Sequence, residues 1–268
     1  MVGEGVAEIR ELEDGIYLVE RSLGSLGPSV TGTMVVGQQR VAIIDTLSCP
    51  ADMQPVLDLL RRVGLPPVVV NTHADWDHAW GNAAFPEAAI VGHRLCRQRL
   101  LDPSAGRLLR EMQGQHPAWF GPVTLVPPSI TFEHEVELDL GGVTVALRHL
   151  PGHTADCLVA HLPERGILLA GDCAEAPLPL IEDPSSIASW ARALRWWSEQ
   201  GLRRVVLCHG GVAGPELLVD NARYLEGLLG GAPELPGTLD PFYCDGHQAN
   251  LQALQGATQR GGMPQHDH

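Results

Sequence analysis

A chain of 268 residues, 44% of them hydrophobic and 19% charged, has the composition of a folded globular protein and can bury one full core. Its net charge of −14, from 32 acidic against 18 basic residues, repels phosphate backbones and argues against a nucleic-acid partner. Every basic residue is an arginine, which excludes Schiff-base and phosphate-loop lysine chemistry.

The opening segment, M-V-G-E-G-V-A-E-I-R, is acidic and has no apolar centre, so it does not read as a secretory signal. From 16 to 45, short apolar runs (I-Y-L-V, T-M-V-V, V-A-I-I-D) are separated by G-S-L-G-P and G-Q-Q-R, the pattern of strands joined by hairpins. Residues 51–63 place Met53, Val56, Leu57, Leu60 and Val63 at helical spacing, and Gly64 stops that helix. The run P-P-V-V-V-N-T then reads as a short buried strand, A-A-I-V-G-H as another, and 93–101 as a helix. Residues 102–129 read as a short helix followed by a Pro-rich loop. That segment is either a lid, with Trp119 as a substrate contact, or a surface helix with Trp119 and Phe120 tucked beneath it.

Further along, 129–149 reads as a meander turning at Gly141-Gly142, and 157–161 with 166–170 as a hairpin around P-E-R-G. A helix over 185–200, a strand over 205–208 and a helix over 215–229 follow. Strands followed by packing helices in both halves predict a layered α/β fold, one domain over residues 1–255. The Leu- and Trp-rich helices 185–200 and 215–229 offer a face for a homodimer. Segment 241–251 can fold back over a site, with His247 as a candidate substrate contact, and 256–268 has the composition of a disordered tail. Cys49, Cys96, Cys157, Cys173, Cys208 and Cys244 include no C-x-x-C pair and read as free thiols. With no apolar stretch of membrane-spanning length, the expectation is a cytoplasmic protein without membrane contact.

The chemistry concentrates between Asn71 and Asn82, where N-T-H-A-D-W-D-H-A-W-G-N packs His73, Asp75, Asp77 and His78 into six residues. Imidazole suits zinc, iron or copper and carboxylate suits harder or mixed sites, so such a loop can serve two metal ions. Alone, the cluster is also compatible with a polar loop of capping aspartates. Three later motifs, P-G-H-T at 151–154, A-G-D at 170–172 and L-C-H-G at 207–210, each add one ligand type: His153, Asp172 and His209. Each adjoins an apolar run, and open α/β sheets place ligand sites at the carboxyl ends of strands.

This order of motifs, over roughly residues 16 to 230, resembles the metallo-β-lactamase superfamily, whose loop motif is usually H-x-H-x-D-H. The resemblance implies an αβ/βα sandwich with metals at one edge between the two sheets. It implies a first metal on His73 and His153, with Asp75 standing where a histidine is usual. Asp77, His78 and His209 would hold the second, and Asp172 would bridge the two. It further implies a hydrolase in which a metal-bridging hydroxide cleaves a small ester, lactone, thioester or related acyl substrate, with Asp77 also handling a proton. Asp172 fits glyoxalase II-like or lactonase-like members better than true β-lactamases. Asp45, which closes V-A-I-I-D, is expected to brace the ligand loop, or else to cap the following helix.

Asp75 governs the metal expectation. Two divalent ions, zinc foremost, suit the set, and a carboxylate at position 75 opens it to iron or manganese. A non-haem iron oxidoreductase (sulfur dioxygenase or flavodiiron-like) and a catalytically silent metal-binding fold are the alternatives. Cys173 and Cys208, although next to Asp172 and His209, are expected as core thiols.

Overall fold

The computed structural model describes residues 6–261. Seven strands form the first sheet in sequence order: β1 (Glu8–Glu13), β2 (Ile16–Arg21), β3 (Val30–Val36), β4 (Val41–Ile44), β5 (Pro67–Asn71), β6 (Ala89–His93) and β7 (Ile130–Phe132). The first four pair antiparallel, and β4 through β7 run parallel. The second sheet holds β8 (Glu135–Asp139), β9 (Thr144–His149), β10 (Leu158–Leu162), β11 (Ile167–Leu169), β12 (Arg204–Val206) and β13 (Val212–Ala213). Helices α1 (Gln54–Val63), α2 (Trp76–Ala79), α3 (Arg94–Leu101), α4 (Pro103–Gln115) and α5 (Pro117–Phe120) belong to the first half, and α6 (Ile187–Ser198), α7 (Glu216–Gly230) and α8 (Pro241–Gly261) to the second.

Strand periodicity builds the layers. Successive side chains on a strand face opposite ways. Accordingly Ala42, Ile44, Val68 and Val70 meet Leu147, Leu158, Ala160, Ile167 and Leu169 between the sheets. Val41, Ile43 and Val69 turn outward onto Val56 of α1 and onto Cys96 and Leu100 of α3. On the far side, Val159, Leu168 and Val205 pack against Trp190 and Leu194 of α6 and Leu218 and Leu225 of α7. Strands covered on both faces must be apolar throughout, which explains runs such as V-A-I-I and V-V-V. The result is a four-layer αβ/βα sandwich.

Two expectations are corrected here, for the meander and the tail, and one pair of alternatives, for 102–129, is decided in favour of buried aromatics. The 129–149 meander is divided: β7 pairs with β6 in the first sheet, whereas β8 and β9 pair in the second. Segment 102–129 is mostly helical, and Trp119 and Phe120 are buried in the helix–sheet core. Helix α8 runs to Gly261, so the expected tail begins as helix; residues 262–268 lie outside the described residues. Among the described residues no helix is long and apolar enough to cross a membrane.

The ligand loop is fastened at both ends. Asn71 and Asn82 exchange amide hydrogen bonds at 2.9 and 3.0 Å, and Thr46 Oγ1 donates to Asn82 Oδ1 at 2.8 Å. Gly81 lets the returning chain press against Thr46: a Cβ there would lie 1.8 Å from the Thr46 carbonyl oxygen. Gly81→Ala is therefore expected to destabilise the fold by about 1–3 kcal/mol, the usual cost of overpacking, read as a lowered urea midpoint with unchanged slope.

Candidate metal centre

Every candidate ligand lies just beyond the carboxyl end of a strand, on one edge of the sandwich. The β5 strand leads into His73 and Asp75. The single helical turn α2, opened by backbone hydrogen bonds to the Asp75 carbonyl, carries Asp77 and His78. From the second sheet, His153 follows β9, Asp172 follows β11 and His209 follows β12.

Asp172 sits at the centre. Its Oδ2 is 3.3 Å from His78 Nε2, 3.6 Å from both His73 Nε2 and His209 Nε2, and 3.9 Å from His153 Nε2. On one side, Asp75 Oδ2 is 3.3 Å from His73 Nε2 and 3.1 Å from His153 Nε2. On the other, Asp77 carboxylate oxygens are 3.7 Å from His78 Nε2 and 3.4 Å from His209 Nε2. His73, Asp75 and His153 form one group of converging donor atoms, His73, His78 and Asp172 a second, and Asp77, His78 and His209 a third. Asp75, despite its short side chain, reaches the cluster.

The rings are fixed from behind. His73 Nδ1 is 3.0 Å from Thr72 Oγ1, which itself donates to Asp45 Oδ2; His78 Nδ1 is 2.9 Å from Asp45 Oδ2. His153 Nδ1 is 3.0 Å from the Leu180 carbonyl and His209 Nδ1 2.9 Å from the Ser29 carbonyl. With acceptors behind each ring, the proton of a neutral imidazole stays on Nδ1 and the Nε2 lone pair points at the cluster. His73 Nε2, His78 Nε2 and Asp172 Oδ1 are buried without a hydrogen-bond partner. Buried polar atoms left so are costly, and divalent cations taking imidazole nitrogens and carboxylate oxygens of these groups would satisfy them. The residues present fit metal.

Asp45 braces this arrangement. It is fully buried with φ 61°, a left-handed conformation that aspartate tolerates. It also accepts the Thr72 backbone N–H at 2.7 Å. Asp45→Asn, which cannot accept from all three donors as a carboxylate does, is expected to weaken metal affinity about 10–100-fold, measurable by competition with a chromophoric chelator.

Several neighbours carry no sequence signal of their own. Arg99, on α3, donates to Asp75 Oδ1 at 2.5 Å and to Asp156 Oδ1 at 2.6 Å. Asp156, fully buried, also accepts from the Ala74 N–H at 2.9 Å and from Thr154 Oγ1 at 2.8 Å. Glu175 accepts from Tyr243 Oη of α8 at 2.7 Å; burial, offset in part by His209, pushes its carboxyl up to about 7. These contacts join segments far apart in the chain, which no local pattern announces.

Two predicted substrate contacts lie elsewhere. The Trp119 indole donates to Ser48 Oγ at 3.0 Å and stacks under Arg21, lining a separate cavity with Cys49 and Asp52. His247 Nδ1 is 2.9 Å from Tyr224 Oη and lines none of the cavities at the cluster. Both polar rings are satisfied structurally. Segment 241–251 does reach the site, through Phe242 and Tyr243. Cys173 is fully buried, and Cys208 Sγ lies 3.5 Å from Asp45 Oδ2, behind His78.

The cluster opens into a cavity of about 220 Å³ walled by Leu23, Leu26, Leu180 and Phe242. A larger one of about 560 Å³ adjoins it, sharing Asp75, Trp76 and Glu182.

A four-layer sandwich bearing this histidine–aspartate edge defines a class of metal-binding fold. The sequence profile described as "Metallo-beta-lactamase superfamily" matches residues 27–209, and the chain belongs to that superfamily. It is 26% identical over 180 residues to acyl-coenzyme A thioesterase MBLAC2 of Gallus gallus, and 24% over 192 residues to that of Homo sapiens. Each match covers 61% of this chain and 64% of the relative, so the chain spans just under two thirds of the length of these curated relatives. Among solved structures, a metallo-beta-lactamase from Pontibacter korlensis superposes with a TM-score of 0.65 at 19% identity, covering 82% of this chain and 99% of its own. The mono-zinc form of FIM-1 from Pseudomonas aeruginosa gives 0.61 at 16% identity, with 95% and 97% covered. Those two likenesses concern the fold.

Proposed function

We propose that the protein is a dinuclear metallohydrolase acting on a small acyl compound, thioesters foremost. The observation that carries this reading is Asp172 Oδ2, placed 3.3–3.9 Å from four imidazole nitrogens drawn from both ligand groups. His73, Asp75 and His153 would hold one cation, Asp77, His78 and His209 the other, with Asp172 shared. Two divalent cations so held, zinc foremost, would supply Lewis acidity and would lower the pKa of a water.

The chain's own groups do the rest. Asp77 stands beside the cleft to accept a proton from the attacking water. Leu23, Leu26, Leu180 and Phe242 take the apolar part of the acyl group and exclude water. Thioesters lead the candidates because the curated relatives are named as acyl-coenzyme A thioesterases. Among the described residues Arg99 is the one arginine lining either cavity, and Asp75 and Asp156 already engage it. The cleft thus favours acyl groups on uncharged carriers over polyanionic ones.

A panel of esters, lactones and thioesters, assayed with zinc-loaded protein, tests the reading. It includes one acyl chain on coenzyme A and on N-acetylcysteamine. Turnover of a thioester that vanishes with chelator is expected; no hydrolysis of any class with two metals bound would overturn it. Iron with oxygen consumption would install the oxidoreductase alternative, which Asp75 supports and Arg99 weakens by offsetting its charge.

A further inference from the structure

Position 75 is where this chain departs from the usual histidine, and the departure has a partner. A carboxylate in place of a neutral imidazole adds one negative charge to the first ligand group. Arg99 offsets that charge in part: its guanidinium is always protonated and holds Asp75 Oδ1 at 2.5 Å, although it also pairs with Asp156 and lies 3.8 Å from Glu182. The other oxygen, Oδ2, is left facing His73 and His153. The guanidinium is itself fixed, because its second nitrogen donates to the buried Asp156, which grips both the Ala74 backbone and Thr154 of the His153 loop. The fork geometry of arginine suits this double task, which lysine cannot reproduce.

We propose that Arg99 is a positioning residue that makes Asp75 a one-oxygen ligand with its charge partly offset, and so sets the metal preference of the first site. It rests on the reading that His73, Asp75 and His153 hold a cation. With Arg99 in place, one carboxylate oxygen joins imidazoles in a nitrogen-rich set that suits zinc. Without it, both oxygens and a full negative charge face the site, which suits harder cations such as manganese. A plain anchoring role for α3 predicts something different: losing Arg99 would then matter equally whatever stands at position 75.

The test compares Arg99→Gln in two backgrounds, the natural Asp75 and Asp75→His, using the full chain. Dissociation constants for zinc and for manganese are measured separately by chelator competition, with the Asp77–His78–His209 site as internal reference. With Asp75 present, Arg99→Gln is expected to lower the zinc-over-manganese preference of the first site tenfold or more. With His at 75, the same change should move it less than threefold. A preference unchanged within threefold in the Asp75 background, or shifted equally in both, overturns the proposal. If Arg99→Gln does not fold, Arg99→Lys serves, with a shift of at least threefold confined to the Asp75 background expected and none overturning it. Asp75→Ala separates the two layers of inference: if it keeps both metals at undiminished affinity, Asp75 is no ligand and the underlying reading fails.

Discussion

Asp172→Ala is expected to lose metal and turnover together. Asp172 Oδ2 is the atom common to both ligand groups, and the residue is 95% removed from solvent. Its removal takes away the one carboxylate placed among all four imidazole nitrogens, and leaves the remaining aspartates, Asp75 and Asp77, on opposite sides. Metal content should drop from two ions per chain to one or none by plasma mass spectrometry. Turnover should fall by more than about two orders of magnitude, the loss that removing even one preorganised electrostatic group produces. His247→Ala is the control: its ring bonds Tyr224 away from the cluster, so metal content should hold at two. An Asp172 variant that keeps two metals and full activity would sink the two-metal proposal.

The metal-free protein should become less stable as pH rises from about 6.5 to about 9, whereas the loaded protein should not. Burial opposes charge on His73 and His209, yet neighbouring groups, Cys157 and Asp75 for the first and Asp172 and Asp77 for the second, raise both to about 9. A histidine that binds its proton more tightly when folded contributes stability that is full below its unfolded pKa, about 6.5, and lost as pH climbs through the folded value. Asp75 and Asp172 act at the other end. Burial raises them, but the surrounding histidines hold both well below the usual carboxylate range. Their contribution is present above about pH 4 and disappears as pH falls through their depressed values. The metal-free protein is thus most stable at mildly acidic pH. Cations need the imidazoles unprotonated, so affinity strengthens over the same rise. Two sites each filled at about a hundred times their dissociation constant should lift Tm by on the order of 10 °C. Calorimetry with and without chelator at pH 6.5 and 9 checks this; a flat Tm for the chelated protein across that interval would refute it.

The layered fold was legible because its strands carry apolar runs and its helices carry stripes, and each motif falls at the end of such a run. β1 was missed because E-I-R-E-L-E puts charge on an edge strand, where pairing on one side suffices. α8 was missed because its Gly246, Gly256 and polar residues give little helical pattern; Tyr243 and Asn250, bonded to Glu175 and to the Ile181 and Pro179 backbone, hold it by tertiary contact. Likewise Arg99 looks like any arginine on a surface helix until folding brings it across to Asp75, 24 residues away in sequence. Trp119 and His247 invited a functional reading because polar aromatics suit ligands, but the same polar tips suit a hydrogen bond in the interior.

His73, Asp75, Asp77 and His78 hang from the first sheet, and His153, Asp172 and His209 from the second. Any cation held among them would therefore be a clasp between two halves of the molecule that otherwise meet through an apolar seam and a few polar ties, such as those of Asp156 to Ala74 and Arg99. A chain starved of metal keeps that seam but loses its clasp at one rim, exposing loops there to proteases. Cellular abundance, and not activity alone, would then rise and fall with metal supply.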